Sequence, residues 1–346
     1  MEYINIWDYF DNNYPFQIFI GGRGTGKTYS ALKHAVIDSK DHFIYMRRTQ
    51  DELELLGDNQ NGEGANPFNP INTDHNTNFG FRPITKKRLG IYRRVYNDEE
   101  FKYEGAPIGY GVALSTLSGI RGINFSDVTD VYYDEFIPEL HVRKMKAEGT
   151  AFLNAVETIN RNRELKGANP CRFWLLANSN NIYNPIMIEL GIVNEVEKMI
   201  NRGIPDKYFK DKGLAIHLLE ATEAFIEAKK QTALYRLTAG TQFADMALGN
   251  RFSYNDFSLI SYKRLTGYQP ICSLGDAFIY KKKGSKEIYV SYAPTKCPNF
   301  NPDHEQDVRK FMGKYGLKLV PLFTAGRLTF ESYDLKQKVL DIILNR

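Results

Sequence analysis

The sequence of 346 residues predicts an α/β protein, with a mostly parallel sheet in a large N-terminal domain and a smaller α/β domain near the C-terminal end. Short apolar segments alternate with helical segments through the first two thirds of the chain, which is typical of a parallel sheet covered on both faces. From about residue 251 the pattern changes to short strands broken by turns. We therefore predict an N-terminal domain over 1–220, a helical linker over 221–250 and a C-terminal domain over 251–346.

The N-terminal strands are predicted from short apolar runs that end at glycine or at polar residues. They cover residues 17–20, 42–46, 111–115, 128–133 and 172–177. Helices are predicted directly after the first strand and over about 150–161. Residues 79–85 and 90–96 predict a hairpin. The segment 57–78 is rich in Asn, Gly and Pro, which predicts a long mobile loop.

The remaining elements are predicted in the same way. Residues 222–240 favour one helix that ends at Gly240. The C-terminal domain is predicted to contain strands at 271–274, 277–280 and 288–292, followed by helices at 303–315 and 332–344. The turn KKKGSK between two of these strands predicts a hairpin with a basic tip.

Composition restricts the class of protein. Hydrophobic residues make up 42% and charged residues 25% of the chain, which excludes a disordered or collagen-like chain. No run approaches the ~18 apolar residues of a membrane span, and no leader pattern opens the sequence. We therefore expect a soluble intracellular protein with no membrane partner. The three cysteines lie far apart without a CxxC motif, so we expect no cysteine metal site.

The charge is unevenly distributed. Residues 241–346 contain 16 basic and 10 acidic side chains, whereas residues 1–240 contain 29 and 31. A basic C-terminal third favours a polyanionic partner, because basic surface attracts nucleic acid. An excess of this size is also common in ordinary soluble domains, so charge alone leaves both interpretations open.

The most specific motif is GGRGTGKT at residues 21–28, a full match to G-x-x-x-x-G-K-[ST] between an apolar strand and a helix. Backbone N–H groups of such a loop surround phosphate oxygens, and the helix N-terminus adds positive potential. We predict that ATP is bound by Gly21, Gly22, Arg23, Gly24, Thr25, Gly26, Lys27 and Thr28. Lys27 is expected to reach the β- and γ-phosphates, and Thr28 to bind Mg²⁺.

A second motif, VYYDE, ends an apolar strand with two acids. Asp134 lies 107 residues after Lys27, which makes it the candidate Mg²⁺-binding acid of a Walker B motif. Glu135 is the candidate general base that polarises the attacking water. An adjacent glutamate favours hydrolysis over phosphate transfer to a bound acceptor.

Two further polar segments follow. Arg161 and Arg163 lie at the end of the predicted helix 150–161, where they suit either an arginine finger or favourable contact with the helix dipole. Asn178 ends the strand LLAN and is a candidate for contact with the γ-phosphate or the attacking water, although an Asn-rich turn explains it equally well.

Together, the motifs FIGGRGTGKTYS, IYMRRT, VYYDEFIPE, RNRE, LLANSNNIYNP and DMALGNRF occur in a familiar order. The chain resembles the DNA-packaging (encapsidation) ATPases of small protein-primed tailed phages, the phi-twenty-nine-like group, which are relatives of terminase large subunits. The resemblance covers about residues 15–190 with good specificity and is weak beyond residue 250.

The resemblance implies a P-loop NTPase domain of the ASCE type, with the catalytic glutamate on the strand beside the P-loop strand. It implies a homopentameric ring on the phage portal (connector) that uses ATP and Mg²⁺ to move double-stranded DNA into a prohead. A packaging RNA is a further possible partner, and the location is the host cytoplasm, transiently on the prohead portal vertex. Carried onto this chain, Lys27, Glu135 and Arg161 are catalytic, with Arg163 as the alternative finger. Arg23 resembles the Walker A arginine of terminases.

For the C-terminal domain the resemblance implies an RNase H-like fold. A two-metal nuclease site needs several converging carboxylates, and the first predicted strand region offers only Asp276. Asp303, Glu305 and Asp307 suit a helix N-terminus instead. We therefore expect a vestigial nuclease fold that has lost cleavage and binds nucleic acid.

Phosphate contacts with DNA are expected from basic residues, because a packaging motor has to grip any sequence. The candidates are Lys86, Lys87, Arg88, Arg143, Lys144, Lys146 and Lys281–Lys283. Two alternatives to a packaging motor remain open at this point. One is a cutting terminase or a helicase-type translocase, and the other is a nucleotide-gated assembly module with negligible hydrolysis.

Overall fold

The computed structural model describes residues 3–57, 65–97, 100–117, 125–139, 142, 145, 147–241, 244 and 257–344. The chain forms two compact units, one from residues 1–189 with 199–254 and the other from residues 190–198 with 255–346. The segment DMALGNRF and the basic residues Arg143, Lys144 and Lys146 lie outside the described residues.

The first unit is built on a sheet that contains nine strands among the described residues. In chain order they are β1 (Phe16–Gly21), β2 (His42–Arg47), β3 (Phe79–Thr85), β4 (Arg88–Asn97), β5 (Glu100–Ala113), β6 (Val128–Asp134), β7 (Arg172–Asn178), β8 (Asp206–Phe209) and β9 (Leu214–Leu219). Their order across the sheet is β3-β4-β5-β2-β6-β7-β1-β9-β8.

The six central strands β5, β2, β6, β7, β1 and β9 run parallel to one another, and the outer strands β3, β4 and β8 pair antiparallel with their neighbours. Because the central strands are parallel, their carboxyl ends meet at one edge of the sheet. Gly21 on β1 lies opposite Asn178 on β7, and Asp134 on β6 lies opposite Leu176. The predicted parallel sheet is confirmed, and so are the predicted strands within it, except that the strand predicted over 111–115 ends at Ala113 and residues 114–117 are helical.

Helices of the first unit connect these strands. They are α1 (Lys27–Lys33), α2 (Gln50–Glu54), α3 (Asn69–His75), α4 (Leu114–Leu117), α5 (Glu148–Asn160), α6 (Pro185–Glu189), α7 (Val193–Arg202, which enters the second unit), α8 (Glu223–Lys230) and α9 (Ala233–Leu237). A short 3-10 helix (Ile6–Tyr9) precedes β1, and α1 continues as a π-helical turn (His34–Asp38). The core is aromatic and aliphatic, with Phe19, Tyr132 and Trp174 almost fully buried.

Two sequence-based expectations for this unit are wrong. The segment 57–78 contains α3, because Phe68 and Ile71 are buried and anchor the helix to the core. The side chain of Asn66 also accepts a hydrogen bond from the Phe68 backbone N–H at 3.0 Å. Residues 222–240 form two helices instead of one, because the chain turns at Gln231 and Thr232 between α8 and α9.

The second unit is α/β, as predicted. Its strands are β10 (Tyr268–Leu274), β11 (Ala277–Lys282), β12 (Ile288–Ser291), β13 (Asn299–Phe300) and β14 (Leu328–Phe330), in the order β13-β10-β11-β12-β14. The first three strands form an antiparallel meander, and each edge strand runs parallel to its neighbour.

Helices α10 (Glu305–Phe311), α11 (Leu317–Thr324) and α12 (Tyr333–Leu344) complete the second unit, and a π-helical turn (Met312–Gly316) joins the first two. Phe311, Leu335 and Val339 are buried together with apolar residues of the sheet. None of the helices in the described part of the chain has the length and apolar character needed to cross a membrane.

Candidate active site

The glycine-rich loop follows β1 and opens α1, as the sequence predicts. Gly24 and Gly26 have positive φ angles of 72° and 103°, a left-handed conformation that glycine adopts without the steric cost of a side chain. A Cβ atom on Gly26 would lie 2.8 Å from Cβ of Tyr3, so only glycine lets the N-terminal segment approach the loop. The loop therefore needs glycine at these positions for both its curvature and its packing.

Lys27 lies inside the loop and is buried, with only 6% of its surface exposed. Its Nζ donates hydrogen bonds to the carbonyl oxygens of Gly21 and Gly22 at 3.1 and 2.8 Å. Burial is the largest influence on the ammonium group and lowers the pKa of Lys27 to about 8, against the opposing effect of Asp134. A buried cation whose hydrogen-bond partners are all neutral oxygens is well suited to receive an anionic phosphate.

Asp134 ends β6 and faces the first turn of α1. The Thr28 hydroxyl lies 3.0 and 3.1 Å from the two carboxylate oxygens of Asp134, and the Tyr45 hydroxyl donates to Oδ2 at 2.7 Å. Burial raises the pKa of Asp134, although the Arg47 charge and these hydrogen bonds oppose the rise. The structure thus brings together the two residues that were each predicted to bind Mg²⁺.

The donor set of Thr28 and Asp134 fits Mg²⁺. This ion prefers oxygen ligands and in nucleotide sites takes one or two protein groups, while phosphates and water complete its shell. A hydroxyl oxygen and a carboxylate lie next to each other at the end of the loop. Mg²⁺ held there would neutralise phosphate charge when bound.

Glu135 directly follows β6 and has a positive φ of 54°, which is unusual for a residue with a side chain. Its carboxylate accepts a hydrogen bond from Nη2 of Arg47 at 2.6 Å, and Glu135 remains 54% exposed. Nη1 of Arg47 lies 3.6 Å from Oδ2 of Asp134. Arg47 therefore fixes the candidate base beside the Walker B acid while leaving it accessible to water.

Sequence reasoning did not assign a role to Arg47. The residue ends β2, and β2 lies next to β6 in the sheet although the two strands are far apart in sequence. The available signal was the RR pair at the end of the apolar segment 42–46. The next residue, Arg48, points to a different partner: it forms a buried, bidentate ion pair with Glu148 on α5 at 2.5 and 3.1 Å.

Asn178 ends β7 directly opposite Gly21, between the P-loop strand and β6. Its Oδ1 lies 3.5 Å from Nζ of Lys27. The expected position at the tip of a strand next to the Walker B strand is present. The expectation that the catalytic glutamate follows the strand beside the P-loop strand is wrong, because β7 separates β1 from β6.

A lysine on α8 also reaches the loop. Nζ of Lys229 donates a hydrogen bond to the carbonyl oxygen of Arg23, and it lies 4.9 Å from the ring centre of Phe225. The Arg23 guanidinium forms an ion pair with Glu139. Burial, followed by the charge of Arg23, lowers the pKa of Lys229. Helix α8 is therefore tied to the backbone of the glycine-rich loop.

These groups surround one cavity of about 580 Å³, a size typical of small-molecule sites. The lining residues of the cavity are Tyr3, Arg23, Gly24, Thr25, Gly26, Lys27, Thr28, Tyr29, Pro70, Asp74, Asp134, Glu135, Ala177 and Asn178. The lining thus combines the loop and the two acids with two tyrosines and with two residues of α3.

Residues 3–271 match the model of the podovirus DNA encapsidation protein (Gp16) family, which is more than half of the chain. The chain belongs to this family. The match includes every residue of the cavity, so the encapsidation-family assignment and the P-loop geometry describe the same part of the molecule.

Two curated relatives of this family member are DNA packaging proteins of Bacillus phages. The protein of phage B103 is 28% identical over 249 residues, which cover 71% of this chain and 66% of the relative. The protein of phage phi29 is 26% identical over 239 residues, which cover 67% and 60% of the respective chains. The encapsidation-family chain thus spans less than two thirds of the length of these relatives.

Solved structures support the encapsidation-family fold over nearly the whole chain. A chain of the bacteriophage phi29 viral genome packaging motor assembly superposes with a TM-score of 0.65 at 19% identity, covering 99% of both chains. The phi28 gp11 DNA packaging motor gives a TM-score of 0.59 at 18% identity, covering 99% of this chain and 98% of that chain. At these identities the likeness concerns the fold.

The two candidate finger arginines of this encapsidation-family chain differ in their surroundings. Arg161 follows α5, has a positive φ of 38° and is exposed, and it does not line the cavity of its own chain. Nη2 of Arg163 donates to the carbonyl oxygen of Phe125 at 2.5 Å. This contact gives Arg163 a structural role within its own chain.

The basic residues suggested for DNA contact are partly described. Lys86 and Lys87 are exposed in the turn between β3 and β4, and Lys281–Lys283 are exposed at the end of β11. Arg88 is half-buried, with its guanidinium 5.1 Å from the ring centre of Tyr110. This packing makes Arg88 less available for a phosphate than the five exposed lysines.

In the second unit, Asp276 lies 2.9 Å from Nζ of Lys338. Asp303, Glu305 and Asp307 lie at or just before the start of α10, as expected for a helix N-terminus. Within the described ranges, no group of three or more His, Cys, Asp or Glu side chains is arranged to hold a metal ion.

Proposed function

We propose that this protein is the ATPase of a viral DNA-packaging motor, which hydrolyses ATP with Mg²⁺ and moves double-stranded DNA into a prohead. The observation that carries the proposal is the single cavity in which Lys27, Thr28, Asp134 and Glu135 meet. Membership of the encapsidation family supports the coupling of this chemistry to DNA packaging.

Each residue has a separate task in the proposed reaction. The loop backbone and Lys27 bind the phosphates, and Thr28 with Asp134 hold Mg²⁺. Glu135 accepts a proton from the attacking water, and the hydrogen bond from Arg47 orients its carboxylate. Asn178, at 3.5 Å from Lys27, is placed to sense whether a phosphate occupies the loop.

The proposal extends to the assembly. Five copies form a ring on the portal, and Arg161 of one subunit stabilises charge in the site of its neighbour. The exposure of Arg161 outside its own cavity supports action across a subunit boundary. Double-stranded DNA is the substrate that moves, and a packaging RNA is a further partner. The motor works in the host cytoplasm, transiently on the prohead portal vertex.

The exposed lysines Lys86, Lys87 and Lys281–Lys283 are proposed to contact DNA phosphates without reading sequence. The second unit is proposed to bind nucleic acid without cutting it, because Asp276 and Asp334 share Lys338, and no three potential metal ligands come together among the described residues.

The test is steady-state phosphate release with and without long duplex DNA, in the wild type, in Lys27→Ala and in Glu135→Gln. We expect DNA to stimulate the wild type. Lys27→Ala is expected to lose nucleotide binding, whereas Glu135→Gln keeps ATP bound and loses about 100-fold or more in turnover. Normal turnover in Glu135→Gln would place the base elsewhere.

A second candidate function, a nucleotide-gated assembly module, is favoured by one contact. The ion pair of Glu135 with Arg47 engages the candidate base in this state of the protein. In that case the wild type would bind ATP and release negligible phosphate, even when it is assembled on proheads with DNA.

A further inference from the structure

The aromatic lining of the cavity has no part in the phosphate chemistry described above. Tyr3, Tyr29, Pro70 and Asp74 line the same cavity as Lys27 and Thr28. The ring centres of Tyr3 and Tyr29 lie 6.2 Å apart, with an angle of 29° between the ring planes. Flat π-surfaces of this kind bind nucleobases by stacking, independently of base sequence.

We propose that Tyr3 and Tyr29 bind the purine base of the nucleotide, and that Asp74 positions the Tyr29 ring. The inference deepens the proposed ATPase function and rests on it. Tyr29 directly follows Thr28, the candidate Mg²⁺ ligand at the end of the glycine-rich loop, so a nucleotide with its phosphates in the loop has aromatic side chains within the same cavity.

Tyr3 is anchored to the loop by its neighbours. The backbone N–H of Ile4 donates to the carbonyl oxygen of Thr25 at 2.9 Å, and the N–H of Ile6 donates to the Ser30 hydroxyl at 3.2 Å. Cβ of Tyr3 occupies the space that a side chain on Gly26 would need. The N-terminal segment therefore holds Tyr3 at a fixed position beside the glycine-rich loop. From this position Tyr3 can contact the base of a nucleotide whose phosphates are bound in the loop.

Tyr29 is anchored from the other side. Its hydroxyl donates to Oδ2 of Asp74 on α3 at 2.7 Å. Helix α3 is in turn fixed to the core by the buried Phe68 and Ile71. The helix inside the Asn-rich segment thus supports a wall of the nucleotide cavity, which gives this segment a binding role.

A comparison of ATP with inorganic tripolyphosphate separates base binding from phosphate binding. Equilibrium dissociation constants are measured by calorimetry for both ligands with Mg²⁺, in full-length protein carrying Glu135→Gln so that ATP is not consumed. We expect Tyr3→Ala and Tyr29→Ala each to weaken ATP binding about tenfold and to leave tripolyphosphate binding unchanged.

Three further variants complete the experiment. Lys27→Ala is expected to weaken both ligands. Asp74→Asn and Tyr29→Phe are expected to weaken ATP by a smaller factor, about two- to fourfold, because the aromatic ring remains and only its anchor is altered. Tyr262→Ala, at a tyrosine that is 81% exposed in the second unit, serves as the matched control and is expected to change neither constant.

Base preference provides a second readout. The wild type is expected to bind ATP more tightly than UTP, because a purine offers the larger stacking surface, and Tyr29→Ala is expected to reduce this difference. Retained tripolyphosphate binding also shows that a variant is folded. The inference is overturned if ATP and tripolyphosphate weaken equally in both alanine variants, or if ATP binding is unchanged in them. Failure of the wild type to bind either ligand would overturn the proposed function, and this inference with it.

Discussion

The two sheets of this protein distribute polar residues in opposite ways. At one edge of the nine-stranded sheet, the carboxyl ends of β1, β2, β6 and β7 bring together Gly21, Arg47, Asp134 and Asn178. Around the five-stranded sheet, charged side chains form small local groups, such as Lys338 with Asp276 and Asp334. Adjacent parallel strands end at the same edge, whereas successive strands of an antiparallel meander end at opposite edges. The strand directions therefore explain why the first sheet gathers a site.

Two individual ion pairs, one in each unit, differ in burial. The Arg48–Glu148 pair in the first unit is almost fully buried, with exposures of 1% and 0%, whereas the Glu305–Arg309 pair in the second unit is exposed. A buried pair fixes backbone elements at the site, since either charge is costly to leave alone in an apolar interior. An exposed ion pair within a helix adds little to the free energy of unfolding. The four predictions below test this contrast between the units.

The largest effect is expected from Arg161→Ala, because Arg161 is the proposed arginine finger. It belongs to the first unit and yet does not line the cavity of its own chain. We expect ATP binding to persist and turnover in assembled rings to fall about 10³-fold or more. Lys166→Ala, at an exposed position in the 3-10 turn after α5, serves as the control and should keep normal turnover.

Mixing of subunits decides whether Arg161 acts across a boundary. If it does, a small fraction of Arg161→Ala subunits lowers phosphate release by more than their share of the total. A loss that is only proportional to the fraction of variant subunits would exclude action in trans. The active site of the first unit would then be formed by residues of one chain only.

The second prediction concerns the buried pair. Glu148→Gln leaves the Arg48 charge uncompensated, so the free energy of unfolding is expected to fall by about 3–5 kcal/mol. The double variant Arg48→Met/Glu148→Leu is expected to recover most of this loss, because no buried charge remains. Arg309→Ala in the second unit is the matched control, with an expected change below about 1 kcal/mol. Denaturant unfolding of the full chain measures all three, and equal losses in Glu148→Gln and Arg309→Ala would contradict the contrast.

The sequence predicted the groups that are close to each other along the chain. Lys27 and Thr28 belong to one loop, and Asp134 and Glu135 end one apolar strand, so local patterns were sufficient for both motifs. Arg47 was missed because its role depends on β2 lying next to β6, and the order of strands in a sheet cannot be predicted from a local sequence pattern. The separation of β1 from β6 by β7 was missed for the same reason.

Helix α3 shows a different limit. Its segment has the composition of a loop, and the helix forms because two apolar side chains, Phe68 and Ile71, reach the core. Tertiary packing thus overrides local propensity at this position. The RNase H-like character of the second unit and the domain boundaries at 220 and 250 stay predictions.

The third prediction uses the pKa of Lys27. Burial lowers this pKa to about 8 in the free protein, and a bound phosphate is expected to restore a value near that of an ordinary lysine. The ammonium form that binds phosphate is therefore depleted above pH 8, so affinity for ATP should fall about tenfold between pH 7 and pH 9. Binding at pH 9 should take up close to one proton.

Calorimetry in buffers of different ionisation enthalpy measures this proton uptake. Lys27→Arg is the control, because a guanidinium stays charged over this range and its variant should take up no proton at this site. An affinity that is constant from pH 7 to pH 9 in the wild type would mean that Lys27 stays fully charged in the free loop.

The smallest effect is expected from Asp276→Asn. Its carboxylate is 60% exposed and paired with Lys338, which also contacts Asp334 at 3.5 Å. The described residues of the second unit contain no group of three or more His, Cys, Asp or Glu side chains arranged to hold a metal ion. The variant should therefore match the wild type in DNA-stimulated ATP turnover and in the integrity of plasmid incubated with Mg²⁺ or Mn²⁺. Cleavage by the wild type that disappears in Asp276→Asn would show that the second sheet also forms a catalytic site. The Asp276–Lys338 ion pair would then have to open so that Asp276 can bind a metal ion. In that case both sheets would carry a catalytic site, and strand direction would not explain the difference between them.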